Sequence, residues 1–360
     1  MKAPTKKSTL LYFTPVKAPF VDKDVAILDG SYDVKLLTQQ WSSFRQIATS
    51  AIAQLYALLR HHKRTSTIIV MFAGYWSFLP ALWGKLFGVP TFIILGGTDC
   101  VSFPFLEYGS LRKPLISRFI KWSCQLATRL LPVHESLIYQ DYSYHAAAEY
   151  PQQGLKAFYP DISTPVTTIY NGFDARFFEE TPHREKQPRS FITVALIDSD
   201  KRLILKGVDL VITVAHAFPD CRFTLIGFTP EMQRKTPVPA NVEVLPFLTK
   251  EVFLSRLQQS EYFIQPSVSE GFPNAFGEAM LCGCIPIGSS VGAVPDIIGQ
   301  TGLVLKTNDA TAAVSSISSL LALPDQHRSQ LAAAARQRIV DNFLIQRRAN
   351  DLLAVLRDHH

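Results

Sequence analysis

QPSVSEGFPNAFGEAMLCGCIPIGSSVGAVPD, residues 265–296, is the stretch whose reading decides the fold. A strand ends near Gln265, and a loop carrying Ser267, Ser269 and Glu270 follows it. A helix opens around Pro273 and Asn274, runs through Glu278 and Met280, and stops at Gly283, with a second strand over 284–288. Strand, helix and strand in direct succession predict parallel pairing, because parallel strands need a crossover connection. Ligands of such sheets sit outside the carboxyl ends of the strands, where this loop falls. The start of the helix adds unpaired N–H groups and a positive dipole end suited to a phosphate. Glu270 lies in the loop and Glu278 one turn inside the helix, so both can face one cleft at different depths. Carboxylates accept hydroxyls well, which suits a ribose at one and a sugar at the other. Two acids near a helix start are also favourable dipole partners with no ligand at all.

The same alternation extends outward in both directions. Residues 10–13, 67–72 and 91–95 read as buried strands, and 41–61 and 78–87 have helical spacing. Residues 180–190, ETPHREKQPRS, are charged, carry two prolines and read as a solvated linker. The pattern then restarts with strands over 191–196, 222–226, 242–245 and 262–265 and a helix over 208–218. This predicts a first domain over 1–180 and a second over 190–343. The helical pattern from about 326 to 357, broken near Asp341 and Asn342, leaves 344–360 to pack back on the first domain.

A chain of 360 residues, 47% hydrophobic, can bury two cores without a metal or disulfide staple. The five cysteines are odd in number and lack framework spacing, which points to reduced thiols in a cytoplasmic protein. The basic start is followed by an apolar run too short for a signal peptide, and no run is long enough to span a bilayer. A net charge of +6 favours anionic partners without choosing among phosphates, lipid headgroups and nucleic acid.

Glu270-Gly271-Phe272, Glu278-Ala279-Met280, Gly283-Cys284-Ile285-Pro286-Ile287, Gly292 and Asp296 resemble, in order and spacing, the signature of glycosyltransferase family four, the retaining GT-B enzymes also described as glycosyl transferases group 1. The resemblance implies an α/β GT-B fold: two Rossmann-like domains facing a central cleft, with the donor mainly in the second. It implies that Glu278 binds the nucleotide ribose and Glu270 the donor sugar. The backbone of Phe272, Pro273, Asn274 and Ala275 would approach the phosphates or sugar, with Ser267 at the strand end and Phe247 against the base. Lys206-Gly207-Val208-Asp209 resembles the family's K-G-x-D element, whose lysine neutralises the departing diphosphate. Where the family carries an arginine after the preceding strand, this chain has Val194-Ala195-Leu196, and Arg202 is the substitute on offer. Glu270, Lys206 and Glu278 are thus expected to converge on one diphosphate-sugar pocket.

In the first half, Tyr170-Asn171-Gly172-Phe173-Asp174 resembles the family's N-G-x-D turn, making Asn171 a cleft candidate or simply a turn residue. Gly96-Gly97-Thr98-Asp99 resembles an H-G-x-D segment with glycine in place of histidine. Gly97 and Asp99 are acceptor candidates, Asp99 alternatively a cap; Gly74 and His134 are further candidates for the acceptor pocket. Over 110–131, Leu115, Ile116, Phe119, Trp122, Leu126 and Leu130 share one helical arc, and Lys113, Arg118, Lys121 and Arg129 the other. Such a helix suits peripheral contact with the inner face of an anionic membrane, or equally a core-facing side opposite a solvated one. The resemblance implies retaining transfer from a nucleotide-diphosphate sugar to a carbohydrate or lipid-linked hydroxyl, as in glycan, polysaccharide or glycolipid synthesis. No cofactor, metal or nucleic acid is expected, and no enzymic nucleophile stands out. A nucleotide-sugar epimerase or hydrolase, and a non-catalytic nucleotide-sugar-binding protein, are the rival readings.

Overall fold

The computed structural model describes residues 7–179 and 185–359. Its first sheet is parallel throughout, in the order β2-β1-β3-β4-β5, with β1 Thr9–Thr14, β2 Asp33–Thr38, β3 Thr65–Met71, β4 Thr91–Leu95 and β5 Arg129–Pro132. The central strands are apolar along their length because helices cover both faces. β1 and β4 are buried at every residue. Helices α1 Pro19–Asp29, α2 Phe44–His61, α3 Tyr75–Phe87 and α4 Pro114–Leu126 are the crossovers. α2 packs on α3, and α3 on α4, as one layer.

The second sheet is also parallel, in the order Val242–Leu245, Arg222–Phe228, Gln187–Ile197, Ser260–Gln265, Ile285–Ser289, Leu303–Leu305. The expected linker over 180–190 falls partly outside the described residues, and its C-terminal part is already strand from Gln187. Helix Asp325–Asn342 ends one residue before the buried Phe343, and Ile345–Arg357 follows. This last helix crosses to the first sheet's side and packs on α1. The crossing is fixed by a buried ion pair: Arg348 Nε and Nη2 donate to Asp24 Oδ1 and Oδ2 at 2.7 and 2.8 Å. A single hydrophobic cluster runs from the first sheet through Phe173 and Phe178 to Phe272, Phe276 and Met280.

α4 departs from its sequence reading. The side it turns to the core is Ser117, Ile120, Ser123 and Cys124, not the apolar arc. Phe119 and Trp122 of that arc pack against Tyr75 and Phe78 of α3, Leu115 is exposed, and Leu130 belongs to β5.

Candidate active site

The loop after Ser260–Gln265 is built to be rigid. Three successive carbonyls each accept a side-chain hydroxyl: Pro266 from Tyr144 at 3.1 Å, Ser267 from Ser289 at 2.6 Å, Val268 from Tyr142 at 2.8 Å. The Val268 N–H donates to the Leu205 carbonyl at 2.9 Å, tying this loop to the Lys206 turn. That turn separates two helices, Asp200–Leu205 and Val208–Ala217. Gly207 sits there at φ +68, and a Cβ on it would collide with the Pro266 carbonyl. Only glycine combines that left-handed backbone with so close an approach.

The outcome is a fixed pair. Lys206 Nζ lies 2.7 Å from Glu270 Oε1, with the two side chains 21% and 9% exposed. The same oxygen accepts from Gln265 Nε2 and Ser267 Oγ, each at 2.8 Å. Ser267, fully buried, therefore positions the carboxylate and does not face a ligand itself.

Lys206 and Arg202 both line a cavity of about 340 Å³ together with Arg112, Lys113, Thr98, Tyr108 and Ser110 of the first domain. Four cations line it with one acid, Glu107, which is itself paired with Lys201 at 2.7 Å. Arg202 Nε is 3.8 Å from Asp198 Oδ1, a loose contact that leaves the guanidinium available to the cavity. Arg112 and Lys113 were missed in sequence because they belong to the other domain. A basic pair at a helix start carries no local mark of what will face it.

Glu278 does not join this cavity. It lines a second one, of about 500 Å³, with Lys23, Lys250, Asn274, Phe20, Phe173 and Asp174, and the two linings share no residue. The expected convergence thus holds for Glu270 and Lys206 only. The backbone between is covered by the first domain: a Cβ on Gly271 would collide with the Gly96 carbonyl, and Gly97 lies against Gly271. Asn171 Nδ2 donates to the Phe272 carbonyl at 3.2 Å and approaches Asn274 Oδ1 at 3.4 Å. The ring of Phe272 is turned inward among Tyr170, Phe173 and Phe343. Pro273 stands at the N-cap position of the helix Asn274–Leu281, and Ala275 packs on the core. Phe247 is exposed beside Gly227 and lines neither cavity.

Three acceptor candidates point elsewhere. Asp99 is buried and accepts the N–H groups of Ala73, Gly97 and Gly96 at 2.9, 2.9 and 3.2 Å. It clamps the Gly96-Gly97 loop, and burial pushes its carboxyl above the usual range while those N–H groups pull it back. The space beside Gly74 is filled by the Trp76 indole. His134 is buried, with Nε2 2.8 Å from Asp296 Oδ2, which joins the domains instead of opening a pocket. Gly96 stands where the family has histidine because the Phe72 ring occupies the place of any side chain there.

Burial raises the Glu278 carboxyl above its ordinary range, opposed by Lys23 and Lys250. Burial likewise lowers the Lys23 amine, opposed chiefly by Glu278. For Glu278 the folded state holds a proton that the unfolded chain has already released, so its contribution to stability falls as pH rises through that window. The resemblance expects Glu278 to take a ribose diol, and nucleotide binding on that expectation runs the other way, since the diol donates to the ionised carboxylate. Calorimetric titration with UDP from mildly acid to neutral pH should show tightening as pH rises, and Glu278→Gln should flatten the curve. An unchanged slope in that variant would detach Glu278 from the nucleotide.

Residues 186–338, which hold Lys206, Glu270 and Glu278, match the profile of the family described as Glycosyl transferases group 1. The chain carries a glycosyl transferases group 1 domain. Over 169 residues it is 28% identical to a phosphatidylinositol N-acetylglucosaminyltransferase component of Arabidopsis thaliana, covering 44% of this chain and 37% of that protein. The chain matches between 30% and 50% of the length of the first curated relatives. A sucrose-phosphate synthase from Thermosynechococcus elongatus has a TM-score of 0.72 at 14% identity, over 98% of this chain and 99% of that one. HepE of Anabaena, solved with UDP and glucose, has a TM-score of 0.68 at 13% identity, over 97% and 99%. The fold around the group 1 domain is GT-B.

Proposed function

We propose that the chain is a retaining glycosyltransferase using a nucleotide-diphosphate sugar. The observation that carries this reading is the Lys206–Glu270 pair, held on two interlocked turns at the edge of a four-cation cavity. In the transfer, the bond from the anomeric carbon to the phosphate oxygen breaks, and the acceptor oxygen bonds to that carbon on the same face. The acceptor proton passes to the leaving phosphate. Negative charge grows on the diphosphate, and Lys206 and Arg202, with Arg112 and Lys113 from the first domain, line the cavity where it is stabilised. Four cations lining the cavity can serve that charge, so the reading includes no metal. Glu270, anchored by Gln265 and Ser267, takes a sugar hydroxyl, and Glu278 takes the ribose.

A donor touching both Lys206 and Glu278 must cross the backbone of residues 271–274, which Gly96, Gly97 and Asn171 now cover. On this reading the donor enters when these contacts part. The acceptor is a hydroxyl on a carbohydrate or lipid-linked molecule reaching the cavity from the first domain. Support for a lipid comes from the Arabidopsis relative, whose name specifies phosphatidylinositol.

The test is a melting-temperature screen with UDP- and GDP-sugars, followed by nucleotide release. A ligand at a hundred times its Kd stabilises by about 2.7 kcal/mol, enough to shift the transition measurably. One donor class should raise the melting temperature and release its nucleoside diphosphate only with an acceptor present. If no nucleotide sugar shifts the transition, the reading fails.

A further inference from the structure

α2 is amphipathic the wrong way round for a helix that only covers a sheet. Its buried positions are Ser50, Gln54, Ala57 and Leu58. Phe44, Ile52, Leu55, Tyr56 and Leu59 face solvent at helical spacing, from 42% exposed for Leu55 to 85% for Phe44. The apolar surface continues onto its neighbours. His62 just beyond α2 meets Phe87 and Trp83 of α3 at 4.8 and 5.5 Å between ring centroids, and Phe78 of α3 meets Trp122 of α4 at 6.0 Å. Leu86, Phe87, Leu115 and Trp122 are exposed on this same layer. Contiguous apolar exposure on this scale marks an interaction site.

The charge on this layer is of one sign. No aspartate or glutamate occurs anywhere in α2, α3 or α4, while Arg45, Arg60, Lys85, Arg118 and Lys121 do, and Lys63 and Arg64 follow α2. Among the described residues, Lys121 alone of these forms an ion pair, with Asp161 at 2.7 Å. A two-fold contact between copies would set these cations against themselves with no acid to answer them. Aliphatic side chains ringed by lysine and arginine match an anionic bilayer, whose headgroups take the cations and whose acyl boundary takes the apolar face.

We infer that the α2–α3–α4 face docks the protein on an anionic lipid surface. The face extends to the candidate active site, since Lys113 and Ile116 at the start of α4 also line the cavity holding Lys206. Docking places that rim at the headgroup level.

The experiment is co-sedimentation of the full chain with phosphatidylcholine vesicles, with and without phosphatidylglycerol. The wild type should pellet with the anionic vesicles only, and added salt should release it. Ile52→Glu with Leu59→Glu should weaken binding by about tenfold or more, because both carboxylates enter an anionic, apolar boundary. Both positions are solvent-facing, so the melting temperature should hold; Phe44→Glu gives an independent single change. Failure of the wild type to bind anionic vesicles overturns the inference, as does equal binding by the variants. A dimer in sedimentation equilibrium that the same changes dissolve, without vesicle binding, would replace the bilayer with a second copy. None of these readouts depends on glycosyl transfer, so the docking face and the enzymatic reading can fail separately.

Discussion

Lys206→Ala will lower the rate of sugar transfer by about two to three orders of magnitude, the scale on which one preorganised charge-stabilising group acts. The loss should fall mainly on kcat, because the lysine meets most of its charge as the diphosphate departs. The fold should be little affected: the side chain is 21% exposed, and Glu270 Oε1 keeps Gln265 and Ser267 as donors when the ammonium is gone. Lys206→Arg should recover only part of the rate. A guanidinium is a planar fork where the ammonium is a compact point charge, and its fit against a single carboxylate oxygen differs. Glu270→Gln should also lose activity, with the lysine then unpaired. Initial rates with the donor found in the melting screen, beside melting curves for each variant, decide the matter. Transfer within about threefold of wild type in Lys206→Ala would remove this residue from the chemistry.

That Lys206 and Glu270 share one site follows in sequence from the resemblance of their two motifs, and their direct pairing is what the structure adds. Gly207 and the loop after Gln265 are set by neighbours in the chain. Strand existence was equally legible where burial made continuous apolar runs, as in β4. The edge strand β2, DVKLLT, was not: half-exposed, it mixes charge with leucine and offers no clean run. What sequence could not show is what the other domain supplies. Tyr142 and Tyr144, whose hydroxyls fix the Glu270 loop, lie in the first half, more than 120 residues before it in the chain. The eight-residue spacing sets Glu270 and Glu278 toward one cleft, and the resemblance adds Lys206 to the same pocket. That spacing constrains the helix and says nothing of the Gly96-Gly97 loop that now lies across the intervening backbone. Gly74 and His134 stand as pocket candidates by their place after strands, and Asp99 as a pocket residue or a cap in its H-G-x-D-like segment. Strand ends also need clamps and closures, and those three serve that need.

Arg348 carries the second large effect, on stability and not on chemistry. Its guanidinium, 4% exposed, holds Asp24, which is fully buried, in a two-pronged pair and also donates to the carbonyls of Ile169 and Tyr170 at 3.1 and 3.0 Å. Asp24 accepts in addition from Tyr12 at 3.2 Å. Desolvating both ions is costly, so the intact pair adds little net stability over an apolar substitute, yet removing one partner strands the other charge out of water. Arg348→Ala should therefore cost about 3–5 kcal/mol, lowering the melting temperature by roughly 5–10 °C. Asp24→Ala should cost a similar amount. The double change Asp24→Ala with Arg348→Ala should cost less than the sum, since no charge is left unpaired. The final helix is also what links the end of the group 1 domain back to α1, so Arg348→Ala should expose sites over residues 345–357 to protease before the rest of the chain unfolds. Denaturant melts of the four proteins measure the coupling directly. Single-variant losses below about 1 kcal/mol, or strict additivity in the double variant, would show that the pair does not hold the helix in place.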